Sequence, residues 1–376
     1  MSQKLRTQLA QLPEDVKQLL RQHHFDEPQF LALAADMRSA SDRNQVKGEV
    51  LPPHSDDVQD LPAAGSTQGD QLAQLGEAAL RAGQCALVVL AGGMATRMGG
   101  VVKALVEALP GKTFLDLRLA EMQTLSRKVQ RPVPLWLMTS SSTDAGIRQA
   151  LGARNDGSTV AVFPQRLSPR LSPHGDLFQD EQGQISLHAP GHGDLPDALR
   201  DSGLLQKFVA NGGRYVTVAN LDNLGAGIDP RVIGFHISHG KVATCEVVDK
   251  QGTDRGGIPV RFAGKPQVLE EFRLPSDFDP DSVRVFNTNT FHFDARALLE
   301  TPFDWTYFVV HKKVGDQPAI QFERLVGELT SHLTTRFLRV PREGKEGRFL
   351  PVKDFDELNM RRAEIERIAS HRGMLT

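Results

Sequence analysis

A chain of 376 residues with 44 basic and 46 acidic side chains carries a formal charge of −2, without the basic excess that draws proteins onto nucleic-acid phosphates. Its length allows two domains, or one large domain with appendages, and a core that needs no covalent staples. The two cysteines, Cys85 and Cys245, each lie in an apolar run, which predicts buried structural thiols in a reducing compartment.

The opening residues, MSQKLRTQLAQLPEDVK, are polar and helical in pattern, so no cleaved leader is expected. The apolar run Cys85 to Ala91 is far shorter than the ~20 residues of a membrane span. A soluble, cytoplasmic protein with no membrane or nucleic-acid partner is the expectation. Leucines and alanines from Leu5 to Met37 have helical spacing, and Ser39 to Gly69 reads as a linker rich in turn-forming residues.

From Cys85 onward, strand-like runs (CALVVLA, PLWLMT, TVAVF, RYVTVAN, KVATCEVV) alternate with helical patterns such as Phe114 to Val129 and Asp197 to Val209. That alternation predicts a parallel sheet flanked by helices. Between Lys241 and Phe293 the strands come closer together, with turns at Gly256-Gly257 and Gly264-Lys265, which predicts an antiparallel excursion carrying a second substrate. Amphipathic helices are expected around Ile320 to Leu333 and Asp356 to Ile368. The boundaries that follow are 1–70 for a helical segment and linker, 71–335 for a catalytic domain, and 336–376 for a short C-terminal segment.

The chemistry concentrates where a strand runs into a glycine-rich loop, CALVVLAGGMATRMGGVVKALVE. Such a loop lies at the carboxyl ends of parallel strands, where the backbone N–H groups of Gly92 and Gly93 can approach a phosphate and Arg97 and Lys103 can add positive charge. Neither G-x-G-x-x-G nor G-x-x-x-x-G-K-[ST] is present, which disfavours dinucleotide-dependent oxidoreductases and P-loop enzymes. A double glycine after a buried strand also serves a plain tight turn. The loop, L-A-G-G-x-x-T-R-M-G followed by K-A-L, resembles the signature of nucleotide-sugar pyrophosphorylases, with Ala95 where the usual loop has glycine.

The resemblance continues in order through FPQRLSPRL, PGHGDLPDALRDSGLL, VANLDNLGAGIDP, EVVDKQGTDRGG, VFNTNTFHF, AIQFERLVGEL and RFLPVKDFDEL. Together these blocks look like the UTP-dependent uridylyltransferase family. The resemblance implies a Rossmann-like nucleotidyltransferase fold, α/β, with a mixed, mainly parallel central sheet, an N-terminal helical segment and a short C-terminal extension. It implies UTP and a sugar 1-phosphate as substrates, with UDP-sugar and pyrophosphate as products. Glucose 1-phosphate is the leading sugar, N-acetylglucosamine 1-phosphate the alternative, and a catalytically silent nucleotide-sugar-binding protein the rival from another class. Relatives of the glucose branch continue into a β-helical assembly domain where this chain stops, so the oligomeric state stays open, a monomer included.

Residue by residue, the resemblance assigns base recognition to Gln165, with Gly191 and the backbone around Met138 closing the pocket and Asn220 beside the nucleotide. An amide that both donates and accepts suits the edge of uracil, although a turn glutamine has the same look. His192 would touch phosphate or organise its loop. Asp222, just after a strand, could hold Mg²⁺ against phosphate oxygens, or merely cap the next turn. Asn287 and Asn289, alternating on one strand face, would join Gly257 and Glu270 around the sugar. Lys313, with Lys312 as its neighbour, is the expected cation at the sugar phosphate.

Overall fold

The computed structural model describes residues 2–37, 44–252 and 254–375. Eight strands form the central sheet: β1 (Val58–Asp60), β2 (Cys85–Leu90), β3 (Leu135–Thr139), β4 (Val160–Pro164), β5 (Tyr215–Asn220), β6 (Ala243–Asp249), β7 (Val285–Asp294) and β8 (Thr335–Arg339). Their spatial order is β1-β8-β6-β7-β5-β2-β3-β4. Every neighbouring pair is parallel except those made by β7, which runs against β5 and β6.

The central strands are apolar on both faces because both faces are covered. Leu87 and Val89 of β2 pack with helices Phe114–Val129 and Phe355–His371 in one core, whereas Ala86 and Val88 pack in another with Leu195 to Phe208. Helix Phe114–Val129 begins where the sequence predicts, at a capping box in which Thr113 and Asp116 satisfy each other's backbone N–H groups. Helices Thr67–Arg81 and Pro230–Ser238 cross so closely that a Cβ on Gly76 would stand 1.9 Å from the Pro230 carbonyl oxygen, and one on Gly234 equally close to that of Leu72.

The expected α/β class and mainly parallel sheet are present, as is the antiparallel excursion. The latter is hairpin Gly257–Phe262 and Lys265–Glu270, extended by Val50–Leu51. The N-terminal segment forms three helices, Ser2–Ala10, Glu14–Gln22 and Glu27–Ala35, with their own cluster against Leu167, Leu171, Ile320 and Phe322.

Three expectations are corrected. The start of the linker, Ser39, lies outside the described residues, but the rest contributes β1 to the sheet and begins helix Thr67–Arg81, so a boundary at 70 cuts a helix. A boundary at 335 cuts β8, and residues 350–374 bury Leu350, Val352, Ile365 and Met374 in the same core as Phe114, so 336–376 is part of the main fold. Ile320 to Leu333 is not one helix: Phe308–Val314 and Gln317–Glu323 form a hairpin, followed by the short helix Leu329–His332. Its strand half is buried without alternation from Ala319 to Phe322. Both cysteines are buried free thiols, and burial pushes the Cys85 thiol up to about 12. Among the described residues, no helix is long and apolar enough to cross a membrane.

Candidate active site

At the carboxyl ends of β2, β3, β4 and β5 lies a cleft of about 390 Å³, lined by Gly92, Gly93, Lys103, Met138, Gln165, Gly191, His192, Asn220 and Asp222 among others. The glycine-rich loop forms one wall. Ala91 N–H donates to the Met138 carbonyl at 2.8 Å and Ser140 Oγ–H to that of Gly92 at 2.8 Å, which pins the loop to β3. A side chain at position 92 is impossible without movement, since its Cβ would stand 2.5 Å from Gln165 Nε2. Ala95 sits at φ −77°, an ordinary conformation for a residue with a Cβ, so alanine enters the loop unstrained.

Gln165 is 6 % exposed, and its Oε1 is buried without a protein partner. Buried polar atoms are rarely left so, and the free amide edge marks a place for a ligand's donor. The PGHGD turn faces it. Gly193 N–H donates to the Arg324 carbonyl at 2.9 Å and Arg324 N–H to that of Pro190 at 2.8 Å. The Arg324 guanidinium binds Asp194 and Asp197 and lies over the Trp305 ring. His192 Nδ1 accepts from Val326 N–H at 3.0 Å, which leaves the proton on Nε2. Burial pulls its pKa down to about 4, so the ring is a neutral N–H donor.

Across the cleft, Lys103 Nζ stands 2.7 Å from Asp222 Oδ2, which also accepts from Val352 N–H at 3.2 Å. The loop bearing Asp222 is held from beneath. Arg118, wholly buried, donates to the carbonyls of Asn220, Asn223 and Ala226. Asn223 Nδ2 donates to the Arg348 carbonyl at 3.1 Å while its Oδ1 accepts from Leu350 N–H at 2.8 Å. Arg348 in turn forms a buried ion pair with Glu246, at 2.5 Å from Nη2 to Oε1.

A second group of residues adjoins this cleft. Asn289 Nδ2 donates to Asn220 Oδ1 at 2.9 Å, and Asn289 N–H to Asn287 Oδ1 at 2.9 Å. A Cβ on Gly257 would stand 2.8 Å from Glu270 Oε1 and 3.2 Å from Asn287 Nδ2, so these three expected sugar-site residues converge. Burial, reinforced by the nearby Glu328 and Glu271, pushes the Glu270 carboxyl up to about 7.

The family described as UTP–glucose-1-phosphate uridylyltransferase matches residues 29–373. The chain belongs to this family. Similar relatives are the UTP–glucose-1-phosphate uridylyltransferase of Encephalitozoon cuniculi, 30% identical over 73% of this chain and 57% of its own length, and the second such enzyme of Dictyostelium discoideum, 30% identical over 82% and 63%. The chain therefore spans about three fifths of these relatives' length. Among solved structures, a mutant UDP-glucose pyrophosphorylase of Leishmania major in complex with UDP-glucose is 25% identical with a TM-score of 0.73, covering 91% of this chain and 77% of that one. The UDP-N-acetylglucosamine pyrophosphorylase of Trypanosoma brucei, at 22% identity, 89% and 75% coverage and a TM-score of 0.74, shares the fold.

Within this family member, two expected cations stand apart from the cleft. Arg97 lies exposed on the 3-10 turn Thr96–Met98 and makes no ion pair among the described residues. Lys313 projects from the Phe308–Glu323 hairpin, 68% exposed and paired with Asp316 at 2.8 Å, while Lys312 reaches Glu323. The lysine that follows a direct contact to Asp222 is Lys353, next to Val352 in RFLPVKDFDEL. Its one signal in the sequence is its place after the apolar segment L-P-V, of which Leu350 and Val352 are buried while Lys353 is exposed. Arg118, Asn223 and Arg348 did not announce themselves, since the loop carbonyls bound by Arg118 and the partners of Asn223 and Arg348 lie about 100 residues or more away.

The expectation that Asn287 and Asn289 alternate on one strand face is also revised. The β6–β7 register shifts between Glu246 and Val247, and Asn289 adopts φ 58°, left-handed. Asparagine tolerates that conformation better than other side-chain-bearing residues. The bulge, rather than regular alternation, turns Asn289 towards Asn220.

Proposed function

We propose that this chain transfers the uridylyl group of UTP to glucose 1-phosphate, releasing UDP-glucose and pyrophosphate. The observation that carries the reading is one cleft lined both by an unpartnered buried amide oxygen, on Gln165, and by the Lys103–Asp222 pair. That combination suits a molecule with a hydrogen-bonding base and a polyphosphate. The neighbouring Gly257, Glu270, Asn287 group offers the fixed acceptors and donors that sugar hydroxyls require.

A sugar 1-phosphate has its second ionisation near ~6 and is largely a dianion at neutral pH. Its oxygen attacks the α-phosphorus of UTP while the bond from that phosphorus to the bridging oxygen breaks, and pyrophosphate leaves with the electron pair. No side chain has to remove a proton. The protein's part is to align the two phosphates and to meet the charge that gathers on the departing oxygens. Lys103 and the His192 Nε2–H flank the nucleotide's path, and Lys353, exposed and outside the cleft lining, follows Val352 in the segment tied to Asp222.

Mg²⁺ fits this donor set as a shared ion. Among the described residues no three His, Cys, Asp or Glu cluster to form a closed metal cage, and Asp222 Oδ2 is already engaged. Asp222 Oδ1 would then be the protein's ligand, the rest coming from phosphate oxygens and water. When bound, the ion neutralises phosphate charge and lowers the barrier to attack.

The test is pyrophosphate release from UTP and Mg²⁺ with glucose 1-phosphate or N-acetylglucosamine 1-phosphate in parallel, ATP and CTP serving as nucleotide controls. Release with UTP and glucose 1-phosphate is expected. Release with N-acetylglucosamine 1-phosphate alone would overturn the sugar assignment, and no release with either would overturn the activity.

A further inference from the structure

The corner between the second and third N-terminal helices rests on the segment that carries Gln165. Helix Glu14–Gln22 ends at His23, His24 takes the left-handed φ of 51°, and Asp26 caps the next helix, Glu27–Ala35, through Gln29 N–H. From this corner His23 Nδ1 lies 3.1 Å from the Gln165 carbonyl oxygen, and Leu167 N–H donates to the His23 carbonyl at 3.3 Å. A carbonyl can only accept, so the Nδ1 of His23 carries the hydrogen whichever charge the ring has.

The other end of the same peptide unit is held as well. Arg166 N–H donates to Asp194 Oδ2 at 2.6 Å, and Gln165 N–H donates to the Thr139 carbonyl at 2.8 Å. The plane joining Gln165 to Arg166 is thus pinned by His23 on its oxygen and by the PGHGD turn on its nitrogen. Two torsions set where the Gln165 side chain starts, and these bonds fix both. The corner cannot drift easily, because Phe30 and Leu33 are buried in a cluster with Leu167 and Phe322, and the Phe30 and Phe322 rings meet edge to face.

We propose that His23 is a positioning residue of the nucleotide site, and that through it the N-terminal helices set the preference for uracil over cytosine. The two bases differ at one edge, where uracil offers an N–H and a carbonyl and cytosine a bare nitrogen and an amino group. A glutamine whose backbone shifts can meet either edge, whereas one that starts from a fixed backbone reaches the base from one direction. The inference rests on the reading that Gln165 faces the base.

The experiment uses the full chain and compares kcat and KM for UTP and CTP, with the melting midpoint, for His23→Phe, His23→Asn and Gln165→Leu. Phenylalanine keeps the ring and removes the donor; the asparagine amide nitrogen takes the place of Nδ1. His23→Phe is expected to raise KM for UTP about three- to tenfold, the range for one lost hydrogen bond, and to lower the UTP:CTP ratio of kcat/KM by a similar factor. KM for glucose 1-phosphate should stay put, and His23→Asn should restore the ratio. An unchanged ratio in His23→Phe, or a fall in melting midpoint with no change in ratio, would overturn the proposal, provided Gln165→Leu collapses discrimination. If Gln165→Leu leaves the ratio intact, the base-recognition reading itself fails, and this proposal with it.

Discussion

Replacing Asn223 with alanine removes two buried hydrogen bonds at once. Its side chain is the bridge between the loop carrying Asp222 and the segment 348–353, bonded to the Arg348 carbonyl and the Leu350 N–H, and the residue is 1% exposed. Both partners would remain buried without a substitute. Each such group costs about 1–3 kcal/mol, so the substitution should destabilise the protein by about 2–6 kcal/mol. An unfolding entropy of roughly 0.8 kcal/mol/K for 376 residues converts this into a melting midpoint lower by about 3–8 °C. The catalytic consequence comes from what the bridge holds: Val352 N–H on Asp222, with Lys353 next in the chain. A shift of about 1 Å in such a group can cost on the order of 100-fold in turnover. Pyrophosphate release measured well below the melting midpoint separates the two effects. Turnover equal to the parent's in folded protein would refute the idea that Asn223 sets this geometry, and an unchanged melting midpoint would refute the accounting of its two bonds.

Lys353→Ala is expected to lower turnover about 100-fold or more, while Lys313→Ala, on an exposed hairpin, stays within twofold of the parent; the reverse pattern in the same assay would restore the original assignment. Asp222→Ala should lose turnover by orders of magnitude at every Mg²⁺ concentration while far-UV circular dichroism stays unchanged, and near-normal turnover would remove Asp222 from any metal role. Glu270 gives a pH test. Its carboxyl is raised from 4.5 to about 7, so the folded state holds the proton more tightly, and the associated stability is present below about pH 4.5 and lost as pH rises through 7. Glu270→Gln should therefore be more stable than the parent at pH 8, by roughly 2–3 kcal/mol, with the gap closing towards pH 5 in urea titrations. Equal stability at pH 8 would refute the raised value.

The parts of the fold legible in the sequence are those set by local periodicity. Cys85 to Leu90 and Leu135 to Thr139 are short apolar runs, and Phe114 to Val129 has both a cap and a helical stripe, so each carries its own signal. Asp222 was legible by its place just after a strand, Gln165 only through the resemblance carried by FPQRLSPRL. What escaped was set by distant partners or broken regularity. The hairpin strand Gln317–Glu323 runs into Val326 and Leu329, both also buried, and the joint apolar pattern imitates one helix. That misreading left the two lysines beside it without a turn to place them on. The bulge at Asn289 is invisible to a period of two, and the buried guanidinium of Arg348 reads as a surface residue until Glu246 is found beside it.

The antiparallel direction of β7 joins the cleft to the group of residues beside it. Parallel strands β2 to β5 end at the cleft, whereas β6 runs on beside the first residues of β7. β7 enters from the far side: its last residues pair with β5 from Phe291 to Asp294, while its first three pair with the end of β6. Between these stretches lies the bulge, opposite the carboxyl end of β5, and there Asn289 meets Asn220. Two residues earlier, Asn287 stands beside Gly257 and Glu270 of the hairpin. A ten-residue strand rises about 33 Å, ample to span both regions with one rigid element. Asn289 is bonded both to Asn287 beside the hairpin and to Asn220 in the cleft lining, so a single strand ties the two groups of residues together.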